Sequence, residues 1–147
     1  MLLRTSSITN SERYNQMTDF YKNLEAKIQA TYESGVTIDT AEALAAEFLH
    51  AQIRVSEELK KADLNARMHK TGLKAVKAAV YFDIIKQNDK KPTESALDHA
   101  INTSPLVNGE QEELDTAESE RDNLERYYNI FRDAHIFFRG ISKGNMS

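Results

Sequence analysis

Residues 55–80 read VSEELKKADLNARMHKTGLKAVKAAV, and the spacing of their apolar side chains decides the fold class. Apolar or small residues recur at alternating intervals of four and three, the heptad period of a helix face that packs against another helix. The same face reaches back to Phe48 and comprises Phe48, Val55, Leu59, Ala62, Ala66, His69, Leu73, Val76 and Val80. The pattern predicts one long amphipathic helix over residues 40–88.

Local signals predict the ends of this long helix. Asp39 followed by Glu42 is a capping-box pattern, which predicts the start near residue 40. Pro92 disfavours helical backbone in the residue before it, and a polar run at residues 88–91 precedes it, so the helix is predicted to end at residue 88. Gly72 in the interior costs about 1 kcal/mol relative to Ala. We expect the helix to continue through it.

A first, shorter helix is predicted over residues 11–34. Thr9 followed by Glu12 is a second capping-box pattern. Beyond it, five apolar positions recur at intervals of three and four, namely Tyr14, Met17, Tyr21, Leu24 and Ile28. This spacing indicates one apolar face that packs against the rest of the protein.

Two helices are predicted after the long one. Residues 93–102 form a short helix beyond Pro92. Ser104 followed by Pro105 is a start signal, because proline is favoured at the first position of a helix, and it predicts a last helix over residues 105–139.

These segments together predict an all-α protein with about four helices. Two long apolar seams joined by a compact connection predict a long helical hairpin or coiled-coil-like bundle, in one domain over residues 11–143. Residues 1–10 show no helical period and are predicted to be a disordered N-terminus, and residues 144–147 a tail.

The last predicted helix carries more apolar surface than one neighbouring helix covers. One seam contains Leu114, Ala117, Leu124, Tyr128, Phe131, His135 and Phe138, and a second stripe beside it contains Tyr127, Ile130, Ala134, Phe137 and Ile141. The width of this surface predicts a homo-oligomer. The predicted interface comprises Tyr127, Tyr128, Ile130, Phe131, Ala134, Phe137, Phe138 and Ile141. The alternative is an intramolecular core that the first helix fills.

Composition and missing motifs argue against several classes of function. The chain has no cysteine, which excludes disulfides, thiolate nucleophiles and cysteine-ligated zinc. It contains no phosphate-binding loop, glycine-rich dinucleotide turn or nucleophile elbow, so we expect no enzymatic activity. The four histidines show no metal-binding spacing, and neither a metal nor a cofactor is predicted. No apolar run is long enough for a membrane span or a signal peptide, which favours the cytoplasm.

Charge is segregated along the chain, and the middle is basic. Residues 60–91 contain nine Lys and Arg against three Asp and Glu. The flanks are acidic, with five basic against nine acidic residues in 1–59 and five against eleven in 92–147. This asymmetry indicates a local anionic partner for the middle of the chain.

One helix face in this region carries the positive charge. The basic stripe, as we call it, comprises Lys60, Arg67, Lys70, Lys74, Lys77 and Tyr81. Asp63 is the only acid between its first and last members. Cations that end in an aromatic ring can follow a phosphodiester backbone and stack a base without reading sequence. Two alternatives are a solvated outer face, and pairing of the lysines with the acidic first half of the last helix.

The order of features over roughly residues 60–143 carries a family resemblance. The features are a basic helix through Lys74 and Lys77 that ends in Tyr81-Phe82, a polar linker, Lys-Pro-Thr-Glu at 91–94, Ser-Pro-Leu-Val at 104–107, and an acidic-to-aromatic last helix. This order resembles the UvsY-type recombination mediator proteins of phages. Val76 departs from the family pattern, in which a basic residue follows the match to Leu73-Lys74-Ala75.

The resemblance implies a small helical oligomer that binds single-stranded DNA, helps to displace single-stranded-DNA-binding protein and loads a RecA-like recombinase in the host-cell cytoplasm. It places DNA-binding cations on the helix before the aromatic pair, at Lys74 and Lys77, and assembly in the C-terminal helix. The alternative function is that of a non-enzymatic adaptor, scaffold or acidic inhibitor, which acts by protein–protein interaction through the acidic residues 110–122.

Overall fold

A computed structural model describes residues 9–144, and these residues form four α-helices. The helices are α1 (Asn10–Ser34), α2 (Ile38–Gln87), α3 (Glu94–Asn102) and α4 (Pro105–Ser142). No strand occurs within the described residues, and the helices pack against each other. The all-α prediction with about four helices is therefore confirmed.

The start of α1 follows its predicted capping box. Thr9 Oγ1 accepts a hydrogen bond from the Glu12 backbone N–H at 3.1 Å, and the Glu12 carboxylate accepts one from the Thr9 backbone N–H at 3.3 Å. Two N–H groups without partners inside the helix are thus satisfied. Of the predicted disordered N-terminus, residues 1–8 lie outside the described residues, whereas Asn10 already belongs to α1. Most of the predicted tail, residues 145–147, also lies outside them.

The start of α2 differs from its prediction, since Asp39 is not the cap. Thr37 Oγ1 accepts a hydrogen bond from the Thr40 backbone N–H at 3.2 Å, and the Thr37 carbonyl accepts one from Ala41 at 2.8 Å. Asp39 lies in the first turn, where its carboxylate faces the positive end of the helix dipole. The threonine hydroxyl two residues earlier takes the role that the sequence assigned to the aspartate.

The later boundaries agree closely with the sequence. Helix α2 runs unbroken through Gly72 and ends at Gln87, one residue before its predicted end. Helix α4 begins at Pro105, and the Ser104 carbonyl accepts a hydrogen bond from the Asn108 N–H at 2.9 Å. Within the described part of the chain, none of the four helices combines the length and apolar composition needed to cross a membrane.

Packing contacts divide the chain, predicted as one domain over residues 11–143, into two compact units. The first unit comprises Met1–Arg54 and Tyr127–Ser147, of which 9–54 and 127–144 are described. The second unit comprises Val55–Arg126. Helices α2 and α4 contribute to both units, α1 to the first and α3 to the second.

The core of the first unit is aromatic. Tyr21, Phe48, Tyr127, Phe131 and Phe138 are all fully buried. Phe131 is the centre of this cluster, because its ring centroid lies 5.7–5.9 Å from those of Tyr21, Phe48 and Tyr127. Rings at these separations add attraction beyond the burial of their area.

The core of the second unit is aliphatic. Leu73 of α2 packs with Val107 and Leu114 of α4, and Val76, Val80 and Ile101 cover this cluster. Other buried apolar residues of this unit are Val55, Ala66, Leu97, Ala117 and Leu124. The heptad positions predicted from residues 55–80 therefore do face the helical interior.

The wide apolar surface of α4 is largely covered inside the first unit. Four residues of the predicted oligomer interface are buried there, namely Tyr127, Phe131, Ala134 and Phe138. These four belong to the intramolecular core that was the alternative, because α1 and the start of α2 pack on them. The other four, Tyr128, Ile130, Phe137 and Ile141, are half-buried, and an interface between copies of the chain stays a prediction for them.

Candidate nucleic-acid interface

The basic stripe lies on the second unit's part of α2, one position along from the buried seam. Ala66, His69, Leu73, Val76 and Val80 point toward the interior, and the residue after each belongs to the stripe. Since successive helical residues are rotated by about 100°, the stripe forms its own row beside the core. Lys60, Arg67, Lys70 and Lys74 are exposed, whereas Lys77 and Tyr81 are half-buried.

Most cations of the stripe have no carboxylate partner. Arg67 forms an ion pair with Asp63 one turn earlier, at 3.0 Å, on the exposed surface. Among residues 9–144, none of the ion pairs involves Lys60, Lys70, Lys74 or Lys77. The alternative in which these lysines pair with the acidic half of α4 does not describe the structure. The other alternative, a solvated face, agrees with the exposure of Lys60, Lys70 and Lys74.

A second row of side chains, which the sequence reading missed, follows the stripe on its outer side. The exposed apolar row, as we call it, consists of Leu64, Met68, Ala75, Ala78 and Phe82, with the polar Thr71 between Met68 and Ala75; all six positions are exposed and spaced at intervals of four and three. Leu64, Met68 and Phe82 are 60%, 64% and 61% exposed. The heptad spacing of this row was visible in the sequence, but spacing alone does not say which apolar face another helix covers.

Tyr81 is half-buried, so it offers less exposed ring surface for base stacking than predicted. It lines a hollow of about 320 Å³ together with Leu97 and Ile101, and its ring meets that of Phe82 edge to face with centroids 5.6 Å apart. Phe82 is the more exposed ring of this pair. The aromatic surface next to the lysines therefore belongs chiefly to Phe82, which the sequence named only as part of an aromatic pair.

A separate cluster joins α2 and α4 inside the second unit. His69 Nδ1 lies 3.1 Å from Glu110 Oε1 and 3.5 Å from Glu113 Oε2. The acidic half of α4 thus engages the histidine of the buried seam rather than the lysines beside it. The sequence reading assigned no role to this histidine, because the partners are about 40 residues away and only the register between the helices brings them together.

One carboxyl of the acidic half of α4 titrates differently from an exposed glutamate. Burial raises the pKa of Glu120 above its ordinary value of 4.5, because desolvation disfavours the charged form. Glu120 is half-buried, in contrast to Glu112 and Glu125 on the same helix, which are exposed. The acidic surface is therefore not uniformly solvated.

Comparisons with known proteins identify no relative of this chain. No family model matches it, and neither a curated protein nor a solved structure matches it. The resemblance to UvsY-type mediators consequently stays a prediction that depends on the order of features over residues 60–143.

Proposed function

We propose that the protein binds single-stranded DNA through the basic stripe, without catalysing a reaction, and acts as a recombination mediator that helps to load a RecA-like recombinase. The observation that carries the DNA-binding part is the row of lysines on α2 that have no ion-pair partner within residues 9–144. The mediator role, with a recombinase and a single-stranded-DNA-binding protein as partners, depends on the family resemblance.

The chemistry of the stripe suits a flexible polyanion. Each free ammonium group offers a point charge to a phosphate, and binding releases the counterions condensed on the nucleic acid. Exposed Met68 and Phe82 lie next to Arg67 and Tyr81, so unstacked bases can pack on apolar side chains while phosphates meet the cations. Neither contact reads a base edge, and binding without sequence preference follows.

We further propose that copies of the chain assemble, so that several stripes meet one strand. Individually weak sites then bind with high avidity, because the second and later contacts are intramolecular. The half-buried residues Tyr128, Ile130, Phe137 and Ile141 are the candidate contacts on α4. Light scattering with and without an oligothymidine measures this assembly directly.

The DNA-binding proposal is tested by removing two cations and titrating salt. In the Lys74→Ala/Lys77→Ala variant, we expect weaker binding to oligothymidine at low salt, measured by fluorescence anisotropy, and a loss that shrinks as the salt concentration rises. The slope of log affinity against log salt concentration should become shallower by roughly 1.4, since each single-strand phosphate contact contributes about 0.7.

A matched control removes the same charge from the same helix. Lys61 and Lys86 are exposed but lie off the stripe, and Lys61 pairs with Glu58 at 3.5 Å. The Lys61→Ala/Lys86→Ala variant should keep the salt slope of the unmodified protein. Equal losses in both double variants would show non-specific attraction, and unchanged binding in the stripe variant would refute the proposal.

A second candidate function is that of a helical adaptor, and the exposed apolar row favours it. Leu64, Met68 and Phe82 project from one face of α2, and exposed apolar rows of this kind commonly mark a contact with another protein. A gel shift with single-stranded DNA at low salt separates the two candidates. An adaptor gives no shift, whereas a DNA-binding protein gives one that added salt removes.

A further inference from the structure

Three side chains that could act as metal ligands converge within the second unit. His69 comes from α2, and Glu110 and Glu113 come from one face of α4, where an interval of three residues places them on neighbouring turns. One ligand atom from each lies within 4.8 Å of the other two. The convergence of an imidazole and two carboxylates from two helices distinguishes this cluster from the exposed acids around it.

Two of the three distances between ligand atoms are close to those on one small cation. Zinc binds imidazole nitrogen and carboxylate oxygen at about 2.0–2.2 Å in tetrahedral geometry, so two ligand atoms on one ion lie about 3.3–3.6 Å apart. His69 Nδ1 is 3.1 Å from Glu110 Oε1 and 3.5 Å from Glu113 Oε2. The third pair, the Glu110 and Glu113 carboxylate oxygens, lies within 4.8 Å, so binding of one ion requires a shift of these side chains.

Gly72 leaves space beside this cluster. A Cβ atom at this position would lie 2.9 Å from Glu110 Oε1, so the flexible end of the Glu110 side chain would have to shift. Gly72 follows His69 by three residues on α2, so it leaves the space into which the Glu110 carboxylate reaches. An alanine at this position would keep the helix but change where this carboxylate lies.

We propose that His69, Glu110 and Glu113 bind a divalent transition-metal ion of the Zn²⁺ class. Imidazole nitrogen selects such ions over Mg²⁺ and Ca²⁺, which prefer oxygen ligands alone. Side-chain exposures of 27% for His69, 23% for Glu110 and 65% for Glu113 make the site half-enclosed, with room for water on the side of Glu113. Because the ligands come from two helices, the ion ties α2 to α4 within the second unit.

Calorimetric titration of the full chain with ZnCl₂ at neutral pH, without nucleic acid, tests the site. We expect one ion per chain, and a thermal midpoint of unfolding that rises with zinc concentration, because an ion that binds the folded state stabilises it. His69→Ala and Glu113→Gln should each weaken binding by at least about tenfold, since even outer partners of metal ligands have effects of 10–100-fold. MgCl₂ should give no comparable heat.

Two controls and one further variant make the result specific. His50→Ala and Glu112→Gln remove an exposed histidine and an exposed glutamate outside the cluster, and both should bind zinc as the unmodified chain does. Gly72→Ala keeps all three ligands but displaces Glu110 Oε1, so it should weaken zinc binding while far-UV circular dichroism keeps its helical signal. Undiminished zinc binding in this variant would contradict the spacing role of Gly72.

The proposal is overturned if the full chain shows no one-to-one binding, or if His69→Ala binds zinc as tightly as the His50→Ala control. In either case the cluster is an ordinary histidine–carboxylate contact. Zinc binding is measured without DNA, and the basic stripe is intact in all these variants. Failure here therefore leaves the DNA-binding proposal untouched, and the reverse also holds.

Discussion

The two compact units differ in what they bury and in what they expose. The first unit contains ten of the twelve aromatic residues, and five of these, Phe131 among them, are fully buried. The second unit has no fully buried aromatic side chain, yet it carries the basic stripe, the exposed apolar row and the histidine–carboxylate cluster. The aromatic core and the basic stripe thus lie in different units of one chain.

Helix α2 also differs between the two units. Toward its N-terminal end, α2 buries Phe48 against α4. Toward its C-terminal end, it buries an aliphatic seam in which most positions are half-buried, and the row beside this seam carries the lysines of the basic stripe.

The largest loss of stability is expected from a cavity in the aromatic core of the first unit. Phe131→Ala removes a fully buried ring that contacts three others, and it should lower the free energy of unfolding by about 3–5 kcal/mol. Urea unfolding followed by near-ultraviolet circular dichroism suits the test, because most tyrosines and phenylalanines lie in this unit. Ile136→Ala, at an exposed position, should change stability by no more than about 0.5 kcal/mol.

A matched side-chain truncation in the aliphatic core of the second unit should cost less stability. Leu73→Ala should cost about 2–4 kcal/mol, less than Phe131→Ala, because a smaller side chain leaves its packing with Val107 and Leu114. Urea unfolding followed at both far- and near-ultraviolet wavelengths measures the loss. Two transitions that do not coincide would show that the units unfold separately. A larger loss than that of Phe131→Ala would reverse the ranking of the two cores.

The smallest expected effect concerns the half-buried carboxyl on α4. Burial raises the folded-state pKa of Glu120. At pH values below the ordinary pKa of 4.5 the carboxyl is protonated in both states, and its burial carries no charge penalty. As pH rises through the raised pKa, the folded protein must bury a charged carboxylate and loses stability. Glu120→Gln should therefore be more stable than the unmodified chain at pH 7, with the difference shrinking by pH 4. Urea midpoints at the two pH values give the measurement. Glu125→Gln, at an exposed position, controls for the loss of one charge, and an equal gain there would rule out desolvation as the cause.

Helix positions and the core of α2 could be predicted from sequence, because both depend on short-range rules. The Thr9–Glu12 capping box and the Ser104–Pro105 start involve neighbours along the chain, and both are present. The heptad seam through Leu73 is periodic, and its faces follow from helix geometry. The start of α2 was misplaced by two residues, because Thr37 competes with Asp39 for the same capping role and local patterns do not rank them.

Features that depend on which helices meet could not be predicted. The burial of Tyr127 and Phe131 depends on α1 covering the second stripe of α4, and two apolar stripes are equally compatible with a second copy of the chain. The approach of His69 to Glu110 depends on the register between α2 and α4, which neither helix encodes alone. The exposure of Phe82 could not be predicted for the same reason: it requires knowing that, among the described residues, no helix covers this face of α2.

Gly72 also has a consequence for protein engineering. A screen for thermostable variants of α2 would favour alanine at this position, since alanine is worth up to about 1 kcal/mol more than glycine within a helix and only a flexible carboxylate has to move aside. The selected variant would then lose the present position of the Glu110 carboxylate beside position 72, while its fold stayed intact. A heat-resistant derivative chosen in this way is poor starting material for measuring what the unaltered chain binds.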